Sequence, residues 1–173
     1  VYYTPGNHEG RLAVYPRLRE ELVKAGVRVL EDQKACLAYR GSFIELIGLR
    51  DPRFLPPEER KNSQVLEKKL AQLTEGDEKV FRLLLSHRPE LFPIYQKSGV
   101  DMVLCGHAHG GQFRLLHQGV FAPGQGVLPK YTGGVHVQGS TAMVVSRGLG
   151  NSEFPLRLNN RPEIVKLILS HEE

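Results

Sequence analysis

The stretch LCGHAHGGQF, residues 104–113, holds His107 and His109 one residue apart between glycines. Neutral imidazole is the commonest metal ligand among side chains. Two more polar clusters share the same setting. YYTPGNHEG puts Asn7 and His8 just past an apolar run, and LLLSHRPE puts His87 at the end of another, before Pro89. An asparagine oxygen is an adequate hard partner for a cation. Asn7, His87, His107 and His109 together therefore outline a metal site. Each piece alone has a plainer reading: a turn capped by Asn, a hydrogen-bonded histidine at a strand end, an HxH pair in a glycine-rich turn. The case for one site rests on all three clusters recurring at strand ends.

The elements that position them must satisfy one constraint. Along a strand successive side chains point to opposite faces, so two histidines in HxH spacing would be divided by the sheet. The strand before them should finish at Cys105 or Gly106, because glycine permits conformations closed to other residues. His107 and His109 then lie on an irregular turn and can face one pocket. In α/β sheets ligands collect beyond the carboxyl ends of the strands, where all three clusters fall.

The pattern of the chain agrees. Residues 11–25 place Leu18, Leu22 and Val23 at helical spacing, with Gly26 as a stop. VRVLED, ACLAYRG and SFIELIGLR read as short strands. Residues 58–73 predict a second helix with Val65, Leu66, Leu70 and Leu73 inward. KVFRLLLSH and VDMVLCGH read as buried strands around a short helix at 90–97. After Gly110 the texture changes to short β-like runs between Gly and Pro, and the tail EIVKLILSH alternates as a closing strand. The first half is β/α and the second mostly β, which predicts two sheets packed face to face with helices outside.

Composition narrows the function. The chain has 173 residues, 40% of them hydrophobic and 24% charged, which suits one globular domain over residues 1–173. A net charge of +4, from 23 basic and 19 acidic residues, is mild and scattered, so nucleic acid is not an expected partner. Cys36 and Cys105 form no motif, which favours a reduced compartment. No apolar run approaches the roughly 18 residues of a membrane span, and no signal peptide is visible. The chain starts at Val1 on an apolar run, VYY, like a strand entered midway, so a fragment or processed product is expected.

Taken together, GNHE (Gly6–Glu9), SHRP (Ser86–Pro89), GHAHGGQFRL (Gly106–Leu115) and SRGLG with PLRLNNRPEI (Ser146–Ile164) resemble the calcineurin-like metallophosphoesterases, most closely the bacterial branch with GHxHGGQ. The resemblance spans essentially the whole chain. It implies an α/β fold, a two-sheet β-sandwich flanked by helices in four αββα layers, and hydrolysis of phosphomonoester, phosphodiester or pyrophosphate bonds by a hydroxide on a dinuclear metal centre. By the same resemblance Asn7, His87 and His107 bind the second metal, and His109 the first. His8 lies near the leaving group as proton donor or charge stabiliser. Asn7, His8 and Arg147 are the candidate substrate contacts. Two divalent ions drawn from Mn, Fe and Zn are implied for a complete enzyme. Implied substrates are small-molecule, lipid-linked or nucleotide-linked phosphoesters, in the bacterial cytoplasm or at a membrane surface. Glu9 is given no role.

One departure matters. The family pattern begins with D-x-H and a G-D before GNH[DE]. Here Asp32, Asp51, Asp77 and Asp101 have no His two positions on, and the GD at Gly76–Asp77 falls downstream in a polar loop. A bridging carboxylate holds two cations together against their repulsion. The expectation is thus at most one weakly held metal, little activity for this chain alone, missing strands of one sheet, and a sheet edge open to self-association. A non-catalytic binder on the same fold and a mononuclear zinc hydrolase using His87, His107 and His109 are the competing readings. Residues 121–134 predict a loop beside the site, with Lys130 and Tyr131 more at home in a solvated loop than on a substrate. Gln112 and Arg114 could support the histidine turn. Arg147 suits phosphate binding or the sheet interface equally. His117, His136 and His171 lie outside any motif.

Overall fold

A computed structural model describes residues 1–39, 41–77, 79–115, 117–152 and 156–170; His171 therefore lies outside the described residues. The elements run β1 (Tyr2–Tyr3), α1 (Tyr15–Lys24), β2 (Arg28–Val29), β3 (Gln33–Tyr39), β4 (Ser42–Leu49), α2 (Ser63–Leu73), β5 (Arg82–Ser86), α3 (Phe92–Gln96) and β6 (Met102–Cys105). Four two-residue strands follow, β7 (Arg114–Leu115), β8 (Gln118–Gly119), β9 (Phe121–Ala122) and β10 (Gly126–Val127), and then β11 (Gly134–Gln138) and β12 (Thr141–Val145).

Alternation of strand and helix produces an α/β fold around a mixed six-stranded sheet, ordered β11-β12-β6-β5-β4-β3. β4, β5, β6 and β12 are parallel, and the two outer strands run antiparallel. Parallel neighbours need a crossover, which α2 supplies between β4 and β5 and α3 between β5 and β6. α2 begins where Asn62 Oδ1 accepts the Gln64 N–H, five residues later than the apolar pattern alone predicts.

Period-two alternation divides the sheet into two faces. Ile47, Leu49, Leu84, Val103, Met143 and Val145 are fully buried on one face, beneath Leu70 of α2 and Phe92 and Tyr95 of α3. Leu46 and Leu83 look the other way and meet Leu30, flanked by Tyr2, Leu85, Met102 and Leu104. The parallel pair β1–β2 lies over this second face. It comes so near that a Cβ on Gly48 would stand 2.3 Å from Leu30 Cβ. α1 packs outside β2. The layer order is helix, sheet, strand pair, helix, which agrees with a sandwich flanked by helices.

Two expectations are corrected. In α1 only Tyr15 is buried; Leu18 is 38% and Val23 49% exposed. Two strands of two residues are too narrow a layer to cover a full helical stripe. The tail carries no strand over residues 161–170, and Ile164 and Ile168 are 84% and 78% exposed. Alternation makes a strand only where a neighbour takes up its backbone groups, and no described strand pairs with this segment. Cys105 is buried, as its strand position predicts, and both cysteines are free. No helix among the described residues is long and apolar enough to cross a membrane.

Candidate functional site

Parallel strands deliver their carboxyl ends to one side of the sheet. β5 hands over to His87 and β6 to His107, while β1, in the layer beneath, leads through Thr4 and Pro5 to Asn7. The β1 exit is tied down by Thr4 Oγ1 donating to Leu30 O at 2.9 Å and by Asp51 N donating to Pro5 O at 3.3 Å. Gly6 lies flat on the His87 imidazole, with room for no Cβ: one there would sit 2.8 Å from the ring.

Three donor atoms converge as a result. His87 Nε2 is 2.8 Å from Asn7 Oδ1 and 2.9 Å from His107 Nδ1, with the two imidazole centroids 4.6 Å apart. Asn7 and His107 are each only 7% exposed. Burial is the main reason His87 is held down to about 4 and His107 to about 3, and in each case the neighbouring Arg88 pushes the same way. Both rings are thus neutral at pH 7, with a lone pair available on one nitrogen each. Among the described residues no three His, Cys, Asp or Glu side chains form a metal cluster; the trio appears only when Asn7 is counted.

His109 stands apart from that trio. Its Nδ1 is 3.2 Å from Gly150 O, and burial lowers its pKa. It opens instead on a cavity of about 460 Å³ whose wall includes Asn7, His8, Arg11, His107 and Gln112. His8 is exposed on that wall. Arg11, three residues past His8, is a cavity residue that the motifs did not single out. Of the other candidates, Arg147 is engaged by Glu163, with Nε 2.8 Å from Oε2, and does not line the cavity. That pairing ties the tail to the residues just after β12. Tyr131 is buried edge-on to Phe92, and Lys130 lies over its ring.

The histidine turn is built differently from its expectation. Gly106 is not in the left-handed region; His107 (φ 62), His109 (φ 46) and Gln112 (φ 60) are, with Gly110 and Gly111. A non-glycine residue there is strained by about 1–3 kcal/mol and persists only when its surroundings hold it. Asn160, 2% exposed, supplies that hold, its Nδ2 donating to His109 O at 2.6 Å and Gln112 O at 3.1 Å. Arg114 donates to Gly110 O at 2.9 Å, as its place after the turn suggested. Asn160 escaped notice because it stands 48 residues beyond Gln112; its only signal was membership in PLRLNNRPEI. Asp51 was missed likewise: fully buried, it accepts Arg88 Nε at 2.7 Å and Nη2 at 3.1 Å and so anchors the segment carrying His87.

Three relatives resemble this chain over much of its length. Phosphodiesterase YaeI of Escherichia coli (strain K12) is 32% identical over 167 residues, 95% of this chain and 56% of that protein. Uncharacterized metallophosphoesterase YkuE of Bacillus subtilis (strain 168) is 35% identical over 130 residues, 75% of this chain and 41% of its own. An uncharacterized metallophosphoesterase of Aquifex aeolicus (strain VF5) is 29% identical over 165 residues, 92% and 57% respectively. These relatives support the calcineurin-like metallophosphoesterase superfamily for this chain. No protein-family model and no solved structure matches it. The chain spans about half the length of the curated relatives it matches.

Proposed function

We propose that this chain serves metal-dependent hydrolysis of phosphoesters, with Asn7, His87 and His107 holding one divalent cation and His109 reaching toward a second. The observation that carries the reading is the meeting of Asn7 Oδ1, His87 Nε2 and His107 Nδ1 at 2.8 and 2.9 Å from three separate strand ends. Donors bound about 2.1 Å from one cation stand about 3 Å from one another, so the trio fits one coordination shell. Mn, Fe and Zn all suit such nitrogen and oxygen donors. When bound, such cations polarise phosphate oxygens and lower the pKa of water. His8, exposed on the cavity wall, gives a proton to the leaving oxygen or stabilises charge there. Arg11 on the same wall takes up phosphate charge.

The carboxylates of a second cation do not come from this chain's aspartates. Asp32 is taken by Arg50 and Lys69, Asp51 by Arg88, Asp77 by the Lys79 N–H and Asp101 by the Arg82 N–H. The chain alone therefore holds at most one cation, weakly, and turns over little. Titration with Mn²⁺ and Zn²⁺, beside assays on an aryl phosphate and a bis-aryl phosphate, tests this. Expected are one cation site at most, lost in His107→Ala and kept in His8→Ala. Robust turnover by the 173-residue chain, or cation binding indifferent to His107, contradicts it.

A further inference from the structure

Two buried polar atoms beside the site lack hydrogen-bond partners: His107 Nε2 and Glu90 Oε2. They belong to side chains that face each other, with His107 Nε2 3.9 Å from Glu90 Oε1. The side chains are 4% and 17% exposed, so water does not readily replace the missing bond. Buried polar groups in folded proteins are nearly always paired, and each unpaired one costs about 1–3 kcal/mol. Arg88 does not relieve Glu90: its guanidinium is spent on Asp51 and reaches Glu90 only at 3.4 Å. Nor is Glu90 free to swing outward. Gly124, in the loop after β9, roofs it so closely that a Cβ there would stand 2.1 Å from Glu90 Oε1.

We infer that Glu90 is a positioning residue for His107, its carboxylate accepting the Nε2–H once the two close by about 1 Å. The consequence falls on the far side of the ring. A neutral imidazole carries its proton on one nitrogen only. With the proton fixed on Nε2, the lone pair sits on Nδ1, the atom 2.9 Å from His87 Nε2. With the proton on Nδ1, the lone pair of His107 sits on Nε2 and faces Glu90 instead of Asn7 and His87. Glu90 thus decides whether His107 turns a lone pair or a proton toward His87 and Asn7. It would also raise the basicity of Nδ1 by sharing charge through the ring. Glu90 follows His87 by three residues and is set by the turn at Pro89–Leu91, so the segment bearing one histidine of the trio also orients the other.

The inference rests on the cation-binding reading above, and its test separates the two. Imidazole ¹⁵N shifts of the metal-free 173-residue chain report the His107 tautomer directly. Expected is a single Nε2–H tautomer in the wild type, retained in Glu90→Gln, whose amide oxygen still accepts. Glu90→Ala should mix the tautomers and weaken Zn²⁺ and Mn²⁺ binding by about 10–100-fold. Gly124→Ala, which displaces the carboxylate without removing it, should shift both readouts the same way by less. His107 found as Nδ1–H in the wild type overturns the inference and needs no variant that must fold. An unchanged tautomer with unchanged affinity in folded Glu90→Ala overturns it too. If the wild type binds neither ion yet its tautomer depends on Glu90, the metal reading fails and the role of Glu90 stands.

Discussion

The two turns that bring donors to the site are built on opposite plans. The Gly6–Glu9 turn closes on itself: Glu9 Oε2 accepts the Gly6 N–H at 2.8 Å, and the Gly10 N–H donates to Gly6 O at 3.3 Å. The His107–Gln112 turn has bonds of its own, Gly111 N–H to Ala108 O at 2.7 Å and Gln112 N–H to His109 O at 3.2 Å, but they are not its whole support. It holds three non-glycine residues at positive φ and depends on Asn160 and Arg114 from outside. A turn closed by bonds over three and four residues is local to its motif. A strained turn held by a side chain 48 residues away is not, because the restraint is a property of the assembled fold.

That contrast predicts unequal responses to mutation. The largest should come from Asn160→Ala, which strips the buried Gln112 O of its side-chain donor, leaves His109 O only the Gln112 N–H, and releases the left-handed histidines. Unfolding free energy should fall by about 3 kcal/mol in chemical denaturation, with loss of Zn²⁺ binding. A cost below about 1 kcal/mol would erase the distinction between the turns. Gly110→Ala should follow at about 2 kcal/mol, since its φ is 68° and its Cβ would meet Asn160 Oδ1 at 2.0 Å. Combined with Asn160→Ala it should cost less than the sum, because the clash disappears with the amide.

The shared histidine pair responds to acid. His87 and His107 stand near 4 and 3 in the folded chain against an ordinary 6.5. Between those values the unfolded chain binds more protons, so stability is full above about pH 6.5 and falls as pH drops through the folded values. Denaturation midpoints in the presence of a chelator should decline from pH 7 to pH 4.5, less steeply in His107→Asn. A profile identical in the two proteins would show that these imidazoles are not the cause.

The smallest effect is expected in the self-closed turn. Glu9→Ala removes one local hydrogen bond and should cost about 1 kcal/mol, with cation affinity nearly intact. Gly6→Ala sharpens the point: its Cβ would press on the His87 ring at 2.8 Å, so binding should suffer more than stability. Equal losses of binding in Glu9→Ala and Gly6→Ala would mean that the turn's shape matters as much as what it leans on.

The sequence by itself determined the main strands, the helices between them, the three clusters at strand ends and the superfamily resemblance, because periodicity and short motifs are local. KVFRLLLSH reads as a buried strand from its letters alone, whereas the side each leucine faces, Leu84 opposite Leu83 and Leu85, is fixed by packing. Tertiary structure decided the rest. Arg147 goes to Glu163, Asp51 to Arg88 and Asn160 to the histidine turn, pairings over 16, 37 and 48 residues that no spacing rule contains. It also decided that the alternating tail is not a strand and that α1 shows apolar side chains to solvent, since burial requires a neighbour as well as a pattern. At the site, sequence named the candidate donors. Only packing could bring Asn7 Oδ1 to His87 Nε2, 80 residues on, and leave His107 Nε2 facing Glu90.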